Sequence, residues 1–159
     1  KDDKTNWPEE KNRAWRVESY FDDTQKAIHQ NAIEGKANGQ NVKTFVSDKW
    51  TLEYDLAYYG LNNVTMKDFL IRAIVKTTYA QVNWESKITE ISKALDTQAS
   101  IEEKASCFYS FFAKGNTSKA EFSQQLALEL ETDFSGTEEK LKDLLPPYIV
   151  NAILFVTKN

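Results

Sequence analysis

The stretch Asn41–Gly60, NVKTFVSDKWTLEYDLAYYG, decides how this chain is read. It opens on a β-branched and aromatic run, Val42-Lys43-Thr44-Phe45-Val46, with the alternation of a strand buried on one face. Ser47 and Asp48 are good helix N-cap residues, and Leu52, Leu56 and Tyr59 follow at i, i+4, i+7, the spacing of a helical core face. Gly60 stands where a left-handed glycine closes a helix. A strand running directly into a helix is the joint at which α/β folds place their chemistry. Two carboxylates, Glu53 and Asp55, occupy that joint beside Lys49 and Trp50.

Outward from this joint the pattern is helical. A long, patchily amphipathic helix is expected from about Pro8 to Ala37, with His29 in its second half as a surface or half-buried histidine. Downstream, four stretches have the spacing of a capping box: Thr65–Asp68, Ser100–Glu103, Ser118–Glu121 and Ser135–Glu138. Each leads into an apolar face, and Trp84–Leu95 makes a further amphipathic segment. Cys107 falls in the aromatic face behind Ser100 and reads as buried and inert. Pro146-Pro147 stops one helix and opens the last, Tyr148–Val156. A lone strand is not stable, so the strand near Val42–Val46 is expected to pair in parallel with strands mostly outside this chain. The expected fold class is therefore α/β, predominantly helical: a partial parallel-sheet element over 1–64, then a helical subdomain over 65–159.

Composition narrows the function. The 159 residues are 41% hydrophobic and 28% charged, ordinary for a globular domain with a real core. A net charge of −4 gives no global field drawing the chain to nucleic acid, and Arg13, Arg16 and Lys26 are interleaved with acids. One cysteine excludes an internal disulfide and one histidine argues against a histidine metal site. No apolar run approaches the length of a membrane span, and no signal peptide opens the chain. An opening as polar as KDDKTNWPEEKN, beginning at Lys1, carries the expectation that the chain belongs to something longer.

The chemistry that remains is a set of carboxylates and one oddly placed lysine. Glu53 and Asp55 are about 200° apart around a helix, so regular helix cannot aim both at one site. Glu53 shares its side with the small Ala57, leaving space before its carboxylate, whereas Asp55 is the structural partner. The plain alternative is that an acid in a first helical turn only complements the helix dipole. Lys119 follows the Ser118 cap directly, where the positive helix end disfavours a cation by up to ~1 kcal/mol. It reads either as a solvated lysine or as a cation beside free backbone N–H groups, a combination that suits a phosphate.

FVSDKWTLEYDLAYYGL (Phe45–Leu61) resembles a segment late in the TOPRIM nuclease domain of the overcoming-lysogenisation-defect (OLD) family of ATP-dependent endonucleases. SKAEFSQQLALEL (Ser118–Leu130) is similar to that family's later K-x-x-F-x-Q-x-L-A helix, and PPYIVNAI (Pro146–Ile153) to its ending. The resemblance covers about Asn41 to the C-terminus. It implies a metal-dependent DNA endonuclease of bacterial or phage cytoplasm serving in anti-phage defence. It also implies an ABC-type ATPase domain outside this chain, through which ATP acts, and assembly as a homo-oligomer. Carried over by position, Glu53 is a metal-site carboxylate for Mg²⁺ or Mn²⁺, and Lys119 steadies the phosphate under attack. The family's early glutamate and its D-x-D pair are not recognisable, since Asp2-Asp3 is adjacent and has no strand before it. The isolated chain is therefore expected not to cut DNA. The competing expectation, from a different class, is a non-catalytic helical interaction or dimerisation module in which Glu53 and Lys119 never meet.

Overall fold

A computed structural model describes residues 21–37, 43–113, 117–134 and 138–157. Eight α-helices follow one another among them: α1 (Asp23–Ala37), α2 (Leu52–Gly60), α3 (Val64–Thr78), α4 (Trp84–Asp96), α5 (Ile101–Ala113), α6 (Lys119–Asp133), α7 (Glu138–Lys142) and α8 (Pro147–Thr157). A single 3₁₀ turn, Gln81–Asn83, leads into α4.

The described residues contain no strand and no sheet, so the α/β expectation with a parallel-sheet TOPRIM element is wrong and the fold is all-helical. Lys43–Ser47 does run without helix, but it is not a strand, and among the described residues no strand lies beside it. A β-branched run becomes a strand only where a neighbour satisfies its backbone. Here the neighbours are helices: the Phe45 ring lies 5.8 Å from that of Phe155 on α8, and Thr44, Phe45 and Val46 line a cleft of about 250 Å³ whose opposite wall is Lys26, Gln30 and Ile33 of α1. Asn41, Val42, the Asp2-Asp3 pair and the first part of the helix expected from Pro8 lie outside the described residues.

Helix starts follow cap chemistry, at somewhat different positions from those expected. Thr51, not Ser47 or Asp48, caps α2 by accepting from the Tyr54 N–H at 3.4 Å. Asn63, not Thr65, caps α3 by accepting from the Met66 N–H at 3.0 Å. The Ser100 box forms as expected: Ser100 Oγ accepts from the Glu103 N–H at 3.2 Å and Glu103 Oε2 accepts from the Ala99 N–H at 2.8 Å. Asp22 and Gln25 make a further reciprocal cap ahead of α1. Residues 135–137 lie outside the described part, and Pro147 opens α8 as its residue type favours.

Helix α3 is the hub. Met66, Phe69, Leu70, Ile71, Ala73, Ile74 and Val75 are all buried, a broad apolar face, while Lys67, Asp68, Arg72 and Lys76 carry its ion pairs. It packs against α2, α4 and α6, while α5 covers α2 and α4. Phe108 and Phe112 of α5 enclose Phe122 of α6, with ring centroids 4.9 to 5.9 Å apart. The core is continuous across the expected boundary at position 64, for Tyr54, Leu56, Ala57 and Leu61 belong to the same cluster as the α3 residues. Leu52 and Tyr59 are not its α2 members: Leu52 is 41% exposed and Tyr59 is half-buried. Cys107 is half-buried against the core rather than fully enclosed. No described helix is long and apolar enough to cross a membrane.

Candidate functional site

The N-terminal turns of α2 and α6 face one another. Glu53 is the second residue of α2 and Lys119 the first of α6. Two devices fix the start of α6. Phe122 anchors its first turn between the α5 rings, and Thr117 Oγ1, just ahead of it, lies 2.7 Å from Thr78 Oγ1 at the end of α3. Ser118 caps the helix, accepting from the Glu121 N–H at 3.3 Å. With the helix so placed, Lys119 Nζ donates to Glu53 Oε2 at 2.8 Å, bridging 66 positions of sequence.

The two partners differ in environment. Glu53 is 6% exposed, whereas the Lys119 side chain is 53% exposed. Tyr109 of α5, itself buried, presents its ring to the ammonium at 5.8 Å from the centroid. Burial pushes the Tyr109 hydroxyl up from its ordinary pKa, and the Lys119 charge works against that rise. Among the described residues, Lys119 is the one hydrogen-bond and ion-pair partner of the Glu53 carboxylate.

Asp55 is committed elsewhere. It is fully enclosed, and its carboxylate accepts from Ser47 Oγ at 2.6 Å and from the Trp50 N–H at 3.0 Å. Next to it, Tyr59 Oη donates to Asp48 at 2.5 Å, and burial together with Asp48 raises the Tyr59 pKa. Tyr148 at the start of α8 feels Asp55 and Asp48 across the same knot, its hydroxyl pKa raised first by burial and then by those charges. Ser47 and Asp48, expected to cap a helix, thus tie the segment before α2 to that helix and to the region of α8.

The structure therefore brings together the two residues the sequence singled out and separates Glu53 from Asp55. Tyr109 and Tyr148 were not singled out. Tyr109 sits in the run Cys107–Phe112, an aromatic face in which its hydroxyl and that of Ser110 were the available signs of a polar edge. The side chain of His29 is outside the described part. Among the described residues no three or more histidine, cysteine, aspartate or glutamate side chains gather where they could hold a metal. One carboxylate already neutralised by an ammonium does not fit a divalent ion, so these residues make no metal centre as they stand. What the arrangement does offer is a cation fixed by a buried carboxylate and half open to water, at the positive end of a helix.

No family model, no curated protein and no solved structure matches this chain.

Proposed function

We propose that this chain is the helical C-terminal part of a metal-dependent DNA endonuclease of the OLD type, in which Lys119 binds the phosphate under attack and Glu53 holds it in place. The observation that carries this reading is the 2.8 Å pair itself. Glu53 and Lys119 come from two separate motif resemblances, and a helical interaction module had no need to bring them together. An ammonium is a point charge suited to a phosphate oxygen, and with one donor on Glu53 it keeps two for a ligand. The start of α6 adds its partial positive charge to the same place. A two-metal site of the kind such nucleases use would draw its ions and most of its carboxylates from outside the described residues. The ATPase domain, ATP, oligomerisation and a bacterial or phage cytoplasm belong to the same proposal.

The test is plasmid cleavage with Mg²⁺ or Mn²⁺ by the natural protein that carries this chain. K119A is expected to lose roughly 100-fold or more in rate, as when one transition-state donor is removed, with its fold intact by circular dichroism. Cleavage by K119A at the parent rate sinks the reading.

A second reading, a non-catalytic helical interaction module, is favoured by α8. Ile153, Phe155 and Val156 on this very apolar helix are 47%, 46% and 70% exposed. On that reading changes at these three residues alter association, while K119A and E53Q change nothing.

A further inference from the structure

We propose that the cleft between α1 and the segment ahead of α2 binds a small organic anion, a carboxylate or phosphate monoester carried on one apolar ring. The inference is independent of the nuclease reading, for neither Glu53 nor Lys119 lines the cleft.

Helix α1 supplies the first observation. Among its described side chains, Lys26, Gln30 and Ile33 are the ones that are not exposed, and their i, i+4, i+7 spacing puts them on one face. That face lines the cleft. A helix fastened by core burial alone turns its apolar residues inward. Here Ala27, Ile28 and Ala32 face water, while a lysine and a glutamine face the cleft.

The opposite wall is held in place without being a strand. Asp55 accepts from Ser47 Oγ and the Trp50 N–H, Phe21 stacks on the Trp50 indole at 4.7 Å, and the Phe45 ring rests 5.8 Å from that of Phe155. The cleft of about 250 Å³ is thus formed before a ligand arrives, as small-molecule sites usually are. Ile33, Phe45, Val46 and Trp50 give it the apolar surface for a single ring.

Its polar groups select the ligand. Gln30 and Thr44 are half-buried and make no side-chain hydrogen bond among the described residues, so an amide and a hydroxyl there can serve ligand oxygens. Lys26 brings a half-buried cation. Its pair with Asp23 is long, at 3.8 Å, and Asp23 is fully exposed, so an anion inside the cleft meets the ammonium on better terms than that carboxylate does. Lys49, in the same lining, adds a second positive charge, whereas Asp48 is engaged by the Tyr59 hydroxyl.

The test reads binding and not cleavage. Phenylacetate, phenyl phosphate and the uncharged benzyl alcohol are each titrated into the full chain, and the Ile33 and Val46 methyl signals are followed by NMR. At least one acid is expected to shift them saturably, with a Kd on the order of 1 mM or below. The tighter of the two acids tells a carboxylate site from a phosphate-ester site. Benzyl alcohol is expected to bind about tenfold more weakly or worse. K26Q is expected to weaken acid binding about tenfold and leave the alcohol unchanged. K26M repeats the measurement should K26Q shift the core methyl signals of Ile74. No saturable shift with either acid, equal affinity for acid and alcohol, or parent-like acid binding by the Lys26 variants overturns the proposal.

Discussion

Ser47 donates its hydroxyl to Asp55 at 2.6 Å, and this bond closes the segment before α2 onto the helix it precedes. Asp55 also takes the Trp50 N–H, so one buried carboxylate organises the four residues ahead of the Thr51 cap. Burying it has a consequence. Desolvation pushes the Asp55 pKa up to about 6, against the opposing pull of the Ser47 and Trp50 hydrogen bonds, and the nearby Asp48 adds to the rise.

A folded-state pKa above the unfolded value of 3.8 means that the folded chain binds the extra proton. The stability this group contributes is complete below about pH 4 and is lost as pH rises through about 6. Replacing Asp55 by asparagine removes that dependence. In urea unfolding at a series of pH values, D55N is expected to gain on the parent by roughly 2–3 kcal/mol between acid and neutral pH. Parallel stability curves for the two proteins would show that Asp55 does not titrate in this range.

Gly60 ends α2 for a packing reason and not for a left-handed turn. It is the last helical residue, and Leu61 behind it caps the helix in right-handed geometry. A Cβ at position 60 would stand 2.7 Å from Met66 Cγ and 3.0 Å from Leu70 Cδ1. G60A is therefore expected to destabilise by about 1–2 kcal/mol, overpacking outweighing the better helix propensity of alanine. An unchanged or raised denaturation midpoint would mean that α2 and α3 separate at little cost.

Glu129 of α6 is 3% exposed and lies between Lys76 and Arg72 of α3, with Arg72 Nη2 at 3.1 Å. Arg72 also reaches Asp133 at 2.7 Å. E129Q leaves two cations facing one buried amide and is expected to cost about 2–4 kcal/mol. K87A, which breaks the surface pair with Glu90, is expected to leave the midpoint where it was. Similar effects of the two changes would refute the distinction drawn from burial.

Some of this was legible in the sequence because it is local. The Ser100 box, the Ser118 cap, the Pro147 start and the amphipathic runs of α4 and α5 depend on neighbours within a few residues. The Asn63 cap was missed in favour of Thr65 because both residue types accept from an N–H two or three positions on, and only the path of the chain selects between them.

Asn41–Gly60 shows where sequence stops. Its residues pointed to a helix, with the cap read at Ser47 or Asp48 where the structure has Thr51, a carboxylate on each side of it and an extended lead-in. Whether that lead-in became a strand depended on what lay beside it, and among the described residues α1 and α8 lie there and no strand does. That Glu53 belongs to Lys119 and Asp55 to Ser47 was likewise decided by packing. The aromatic anchor at Phe122 sets α6 against α5 and so carries a lysine across 66 residues to a buried carboxylate. Hydrogen-bond caps and periodicity act over one or two turns of helix. The desolvation that makes an ion pair of two distant charges exists only once the core has closed around one of them.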